Sequence, residues 1–130
     1  NIGDVVEVVE DAFSELGYED AEGFTAFTEF HLKNTYTNQA KTQLPKASSI
    51  TVNTVHGNEE SIESITERLQ PDIESMEGAA VFQVCEEFDV PCMQIRAISN
   101  RVEQRDKNNW NIPLAIHNLN KVVEKIISTL

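Results

Sequence analysis

Apolar residues in this chain keep two rhythms. "DVVEVV" (residues 4–9) is rich in Val and predicts a strand. "DAFSELGYEDAEGF" then breaks the pattern at Gly17 and Gly23, and predicts a turn-rich segment with a helical piece. Residues 31–46 are polar up to Pro45 and predict mostly irregular chain. "SSITVNTV" (residues 48–55) alternates β-branched residues and predicts a second strand.

Helical spacing takes over after Gly57. Asn58 is placed to cap a helix, and Glu59 and Glu60 fall in its first turn, where the dipole favours acids. Ile62, Ile65 and Leu69 make its apolar stripe, and Pro71 follows its end. "DIESM" predicts a short strand. From about residue 77 to 88 a helix follows, with Ala80, Val81, Val84, Cys85 and Phe88 as its apolar positions. "CMQIRAIS" (residues 92–99) predicts a buried strand after Pro91, and "NRVEQRDKNNW" a loop. The last helix spans residues 112–129, with apolar positions 112, 115, 116, 119, 122, 123, 126, 127 and 130. Pro113 is tolerated in its first turn.

Alternating strands and helices argue for an α/β domain with helices packed on a largely parallel sheet. Ligands of such sheets bind beyond the carboxyl ends of strands. Two polar clusters lie at such ends: Met76-Glu77 after one strand and Ser99-Asn100 after the next.

Composition narrows the function classes. A chain of 130 residues fits one domain, and 40% hydrophobic with 25% charged residues is ordinary for a soluble globular protein. The longest apolar runs are a few residues, too short for a membrane-spanning helix. "NIGDVVEVVE" carries no basic n-region and no apolar h-region, so no signal peptide is expected. The chain does not begin with Met and reads as a fragment or a processed form. A formal charge of −12 repels nucleic acid and anionic membrane, so neither is expected as a partner. Cys85 and Cys92 lack zinc spacing and read as two reduced thiols of a cytoplasmic protein. His31, His56 and His117 are scattered, so no metal site is proposed, and no cofactor.

Glu77 has two readings. At a helix start the dipole favours its ionised form, and Gly78, Ala79 and Ala80 leave open space for a ring-shaped ligand. A carboxylate is acceptor-only and takes hydrogen bonds from two neighbouring hydroxyls, which suits a ribose diol. Met76 offers a soft surface to a sugar face. In the other reading Glu77 is an ion-pair partner of Arg96.

Asn100 is a turn residue at a strand end, or a base-recognition group. One acceptor and one donor complement a departing 6-oxopurine, which shows an N7–H donor and an O6 acceptor. A 6-aminopurine shows two donors, which a carboxylate suits better. Ser99 orients Asn100 or caps the turn. Arg96, in an apolar strand, needs a partner, either Glu77 or Glu74. Arg101 and Arg105 are solvated loop residues or a clamp on a substrate carboxylate. Trp110 is a packing residue at the helix entry or an aromatic wall for a ligand.

With "ESMEGAA" and "IRAISN" at these spacings, the chain resembles the nucleoside phosphorylase/nucleosidase superfamily. Within it the resemblance is strongest to the futalosine hydrolases of the alternative menaquinone pathway. It runs from "GDVVEVVEDAFSELGYED" through "TVNTVHG" to "SNRVEQRDKNNWNIPLAI". It implies a phosphorylase/hydrolase-like three-layer fold with a mixed central sheet. It further implies a purine nucleoside N-ribohydrolase that cleaves futalosine to hypoxanthine and dehypoxanthine futalosine. Met76 and Glu77 would bind the ribose, with Glu77 steadying an oxocarbenium-like transition state. Arg96 would lie near the attacking water. Asn100 stands where adenine-specific nucleosidases carry an Asp general acid, a departure that fits hypoxanthine as leaving group. Backbone around His56, Gly57 and Asn58 would line the purine slot. We assign Trp110, with Arg101 or Arg105, to the benzoate end of the substrate. A phosphorylase acting on inosine or guanosine, or a non-catalytic nucleoside-binding module, are the alternatives.

The family's fold begins with strands that carry a glycine-containing loop and a water-activating Glu, and this chain starts after them. The resemblance thus implies that residues 1–130 are the C-terminal portion of one domain, without its N-terminal strands. General-base catalysis typically worth ~10²–10⁴-fold would then be missing, leaving the chain alone weak or inactive. An exposed sheet edge and apolar faces would favour a homo-oligomer.

Overall fold

The computed structural model describes residues 1–27 and 33–129. Its main sheet is built around one long strand, β1 (Val5–Phe13). On one side β1 pairs parallel with β5 (Lys46–Thr51), and β5 pairs parallel with β6 (Ile73–Ser75). On the other side its first half pairs antiparallel with β7 (Gln94–Ala97) and its second half with β4 (Thr35–Thr37). β1 is long enough for two short strands to share one of its edges. The sheet is therefore mixed, not largely parallel as the alternation of elements suggests. Alternation counts elements but does not register the direction in which β7 returns along β1.

"DAFSELGYEDAEGF" holds no helical piece. β1 continues through Phe13, and the rest is a hairpin of β2 (Gly17–Asp20) and β3 (Gly23–Ala26). Asp20 accepts the amide N–H of Glu22 at 2.8 Å, and Gly23 takes a left-handed φ of 114° that closes the turn. At Gly17 a β-carbon would collide with the Phe24 ring and the Thr25 carbonyl. The segment expected to be irregular contributes β4; residues 31 and 32 lie outside the described residues.

Helices cover both faces of the sheet. Successive residues of β5 point to opposite sides. Ile50 and Val52 cluster with Ile65 of α1 (Glu59–Leu69), while the Thr51 hydroxyl, on the other side, accepts the N–H of Ala79 in α2 (Gly78–Glu87). Asn58 caps α1, accepting the Ser61 N–H at 2.9 Å. Val8, Tyr36, Ala79 and Phe82 form the core beneath α2. Burying a side chain such as Phe82 contributes about 1.5–3 kcal/mol. α3 (Ile112–Ile127) lies against β7 and β1, with Asn118 donating to the Gly3 carbonyl at 2.8 Å.

The apolar stripe of α2 differs from the expected one. Gly78, Ala79 and Phe82 face the core, whereas Val81, Val84 and Phe88 point outward, Phe88 being 70% exposed. Both triplets satisfy helical spacing, so periodicity alone does not choose between them. In β7 only Gln94 is buried, and the other three residues are half-buried.

Candidate nucleoside site

Both polar clusters open into one cavity of about 830 Å³ at the ends of β6 and β7. Met76 and Glu77 line it where β6 passes into α2, and Ser99 and Asn100 where β7 ends. Arg96 reaches it from within β7, and His56 from the chain after β5. Arg101, Arg105 and Trp110 line it from the segment before α3. Gly57, expected at the site, does not line the cavity; its carbonyl accepts the N–H of Arg105, which does, at 3.3 Å.

Glu77 is the N-cap residue of α2, yet its carboxylate caps nothing. The side chain is 66% exposed, so no burial cost has to be offset, and Oε2 lies 3.6 Å from Nη1 of Arg96. Such an exposed pair adds little stability, on the order of 0–1 kcal/mol. Its value is positional: the ion-pair reading of Glu77 holds, and the pair lies in the cavity wall. The alternative partner for Arg96, Glu74, is engaged elsewhere, with His56.

A buried polar chain holds Arg96 from behind, and the sequence reading missed it. Asp11 of β1 is wholly buried. It accepts from the Thr51 hydroxyl at 2.8 Å and from the Gln94 amide at 3.2 Å. The Gln94 carbonyl in turn accepts Nε–H of Arg96 at 2.8 Å. Part of the signal was present: Gln94 in "CMQIRA" is costly to bury unless hydrogen-bonded to something, whereas Asp11 follows two glutamates and falls past the strand expected over residues 4–9.

Ser99 does orient Asn100. Its hydroxyl donates to Asn100 Oδ1 at 2.7 Å, and Asn100 Nδ2 donates to the Arg101 carbonyl at 2.9 Å. The carbonyl keeps a second lone pair and the amide a second hydrogen, so both can still meet a ligand. The Asn111 N–H donates to the Ser99 carbonyl at 2.8 Å and closes the intervening loop. Within that loop the Arg105 guanidinium lies 5.2 Å from the centroid of the Trp110 ring, a cation–π arrangement.

Below the cavity Glu7 anchors Lys46, which also lines it. Burial opposes ionisation of Glu7. Hydrogen bonds from the Lys46 ammonium, the Thr42 hydroxyl and the Lys41 and Thr42 amides overcome that and bring its pKa down to about 2. Cys85 and Cys92 are free thiols, and burial followed by the contact with Cys85 pushes the Cys92 thiol up. Among the described residues no cluster of three His, Cys, Asp or Glu is arranged to hold a metal ion. No described helix is long and apolar enough to cross a membrane.

The sequence pattern of the Phosphorylase superfamily matches residues 1–128. The chain belongs to the phosphorylase superfamily. It is 31% identical over 136 residues to futalosine hydrolase of Streptomyces coelicolor, covering 95% of this chain and 57% of that protein. It is 35% identical over 71 residues to futalosine hydrolase of Acidothermus cellulolyticus, covering 54% of this chain and 29% of that protein. The chain thus spans little more than half the length of the Streptomyces relative.

Solved structures share the fold. Native futalosine hydrolase of Helicobacter pylori superposes with a TM-score of 0.84 at 15% identity, over 100% of this chain and 62% of that one. The 5′-methylthioadenosine/S-adenosylhomocysteine nucleosidase of Neisseria meningitidis, in complex with methylthio-immucillin-A, gives 0.77 at 18% identity, over 100% of this chain and 63% of that one. The mixed sheet with helices on both faces is thus a fold this chain shares with those two structures.

Proposed function

We propose that the cavity is the nucleoside site of a purine N-ribohydrolase acting on futalosine, in the menaquinone pathway. The observation that carries the reading is that Glu77, Arg96 and Asn100 line the same cavity. The futalosine hydrolase relatives support the substrate. We also propose that the 130 residues are the C-terminal portion of the domain, the water-activating carboxylate lying in the remainder.

In this reading the Glu77 carboxylate accepts from the two ribose hydroxyls while Arg96 holds its far oxygen. As the C1′–N9 bond breaks, positive charge grows on the sugar, and a fixed anion beside it stabilises that state more than the ground state. The electron pair of the bond leaves with the base. A proton from solvent at N7 neutralises it, while the proton lost by the attacking water passes to the water-activating carboxylate of the remainder; Asn100 accepts from N7–H while donating to O6. Arg96 orients the water whose oxygen bonds to C1′. Trp110 and the arginines at positions 101 and 105 face the 5′ arm, where a guanidinium matches a carboxylate.

The test is hypoxanthine release from futalosine by the full-length protein, with and without phosphate. Phosphate-independent release, lowered roughly 10²–10³-fold in Glu77→Gln, is the expected result. Phosphate-dependent formation of ribose 1-phosphate from inosine would make the protein a phosphorylase instead. Turnover unchanged in Glu77→Gln would remove the role given to that residue.

A further inference from the structure

His56 and Glu74 form a pair that the reaction above does not use. Glu74, in β6, has a side chain only 7% exposed, and His56 one that is 14% exposed. One carboxylate oxygen accepts the His56 backbone N–H at 3.1 Å, and the other bonds to ring nitrogen Nδ1. Gripped at two points, the imidazole has little freedom to turn.

A carboxylate has no proton to give, so Nδ1 must carry the hydrogen. In the neutral ring that leaves Nε2 as an acceptor. Among the described residues Nε2 has no protein partner, and none of their buried side-chain nitrogens or oxygens lacks one. Nε2 therefore keeps open surface, on a residue that lines the cavity. A fixed acceptor with nothing to accept is a recognition element awaiting a donor.

We infer that His56 reads the N1 edge of the base, with Glu74 as the positioning residue that sets its tautomer. The inference rests on the purine-nucleoside reading of the cavity and adds to it. Asn100 deals with N7 and O6 and leaves N1 unread. A 6-oxopurine carries hydrogen on N1 and offers it to Nε2. A 6-aminopurine has a lone pair there, which meets the lone pair of Nε2. Two polar groups facing each other without a hydrogen cost far more than a mere gap, which is how such sites discriminate.

The experiment is calorimetric binding of hypoxanthine and of adenine to the full-length protein, wild type and variants. Wild type should prefer hypoxanthine by roughly tenfold or more, and His56→Leu should erase most of that ratio. His56→Gln, whose carbonyl can accept, should restore part of it. Glu74→Gln should narrow the ratio as well, because an amide can donate to Nδ1 and favour the opposite tautomer. A purely structural role for Glu74 would weaken both bases alike. A ratio unchanged in His56→Leu, or a wild-type preference for adenine, would overturn the inference while leaving the nucleoside reading intact. Failure of wild type to bind either base would remove the purine reading itself, and this inference with it.

Discussion

Gly78 sits so close to Asp11 that no side chain fits between them: a β-carbon at 78 would run into Asp11 Oδ2 and the Gln94 amide. The first turn of α2 is thereby pressed onto the buried polar chain, with the Ala79 N–H reaching the Thr51 hydroxyl at 2.8 Å. Gly78→Ala must push α2 away from β1. Overpacking of this kind costs about 1–3 kcal/mol, which a urea unfolding midpoint will read. Because Glu77 precedes the displaced turn, activity should fall further than lost stability explains. A variant as stable and as active as wild type would show that the contact relaxes freely.

Ser99 offers a cleaner separation of site from fold. Its hydroxyl donates to Asn100 Oδ1 at the surface of the cavity. Ser99→Ala frees the Asn100 amide to rotate but leaves no buried group unpaired, so stability should change by less than about 0.5 kcal/mol. Affinity for hypoxanthine should fall several-fold, on the order of one hydrogen bond of about 1 kcal/mol. Titration of both proteins with the base checks it, and equal affinities would show that Asn100 holds its orientation without Ser99.

The elements that were legible in the sequence are those with a local cause. Asn58 and the two acids after it announce α1, and the strict spacing of α3 announces itself. The polar cluster after β7 was legible because the chain changes from Ile98 to Ser99 there, and the one after β6 because a carboxylate stands at the head of a run of small residues. What stayed hidden depends on partners distant along the chain. Nothing near Asp11 says that Thr51 and Gln94 will satisfy it, so it reads as lying past a strand that ends at residue 9, when β1 runs on through Phe13. The outward face of α2 was hidden for a related reason. Phe82, not Phe88, meets Val8 and Tyr36, and that choice is made by the sheet, not by the helix. The Glu74–His56 pair joins residues 18 apart in sequence and has no local signature.

Acid should loosen the floor of the cavity in a defined window. Glu7 is ionised well below the usual carboxylate range, with a pKa of about 2 against an ordinary 4.5. A depressed folded-state value means that its contribution is complete above the unfolded pKa and is lost as pH falls toward the folded one. The contribution is roughly 3 kcal/mol, drawn down between about pH 5 and pH 2. Urea midpoints measured across that range should decline in wild type. Glu7→Gln should be less stable at pH 7 and flatter below pH 5. Parallel pH profiles for the two proteins would show that the Lys41–Lys46 segment is not held by this charge.

The chain from Asp11 through Gln94 to Arg96 is directional, and its energetics can be measured. Arg96 Nε–H is accepted by Gln94 Oε1, and Gln94 Nε2–H is accepted by Asp11 Oδ2. Gln94→Met strands the second Asp11 oxygen in the interior and frees the guanidinium, and should cost about 1–3 kcal/mol. Arg96→Met alone leaves Asp11 satisfied and removes only a partly exposed cation, so its stability cost should be smaller. Residues in one hydrogen-bonded network couple by about 0.5–3 kcal/mol, whereas distant ones add. The double variant should therefore be more stable than the sum of the single losses predicts. Arg68→Ala, on α1, removes the bond to the Ser14 carbonyl and the contact with the Phe24 ring, and should add independently to Gln94→Met. If Gln94→Met and Arg96→Met combine as simply as Gln94→Met and Arg68→Ala, then Arg96 is held by Glu77 and the cavity wall alone, and the buried carboxylate of Asp11 plays no part in aiming it.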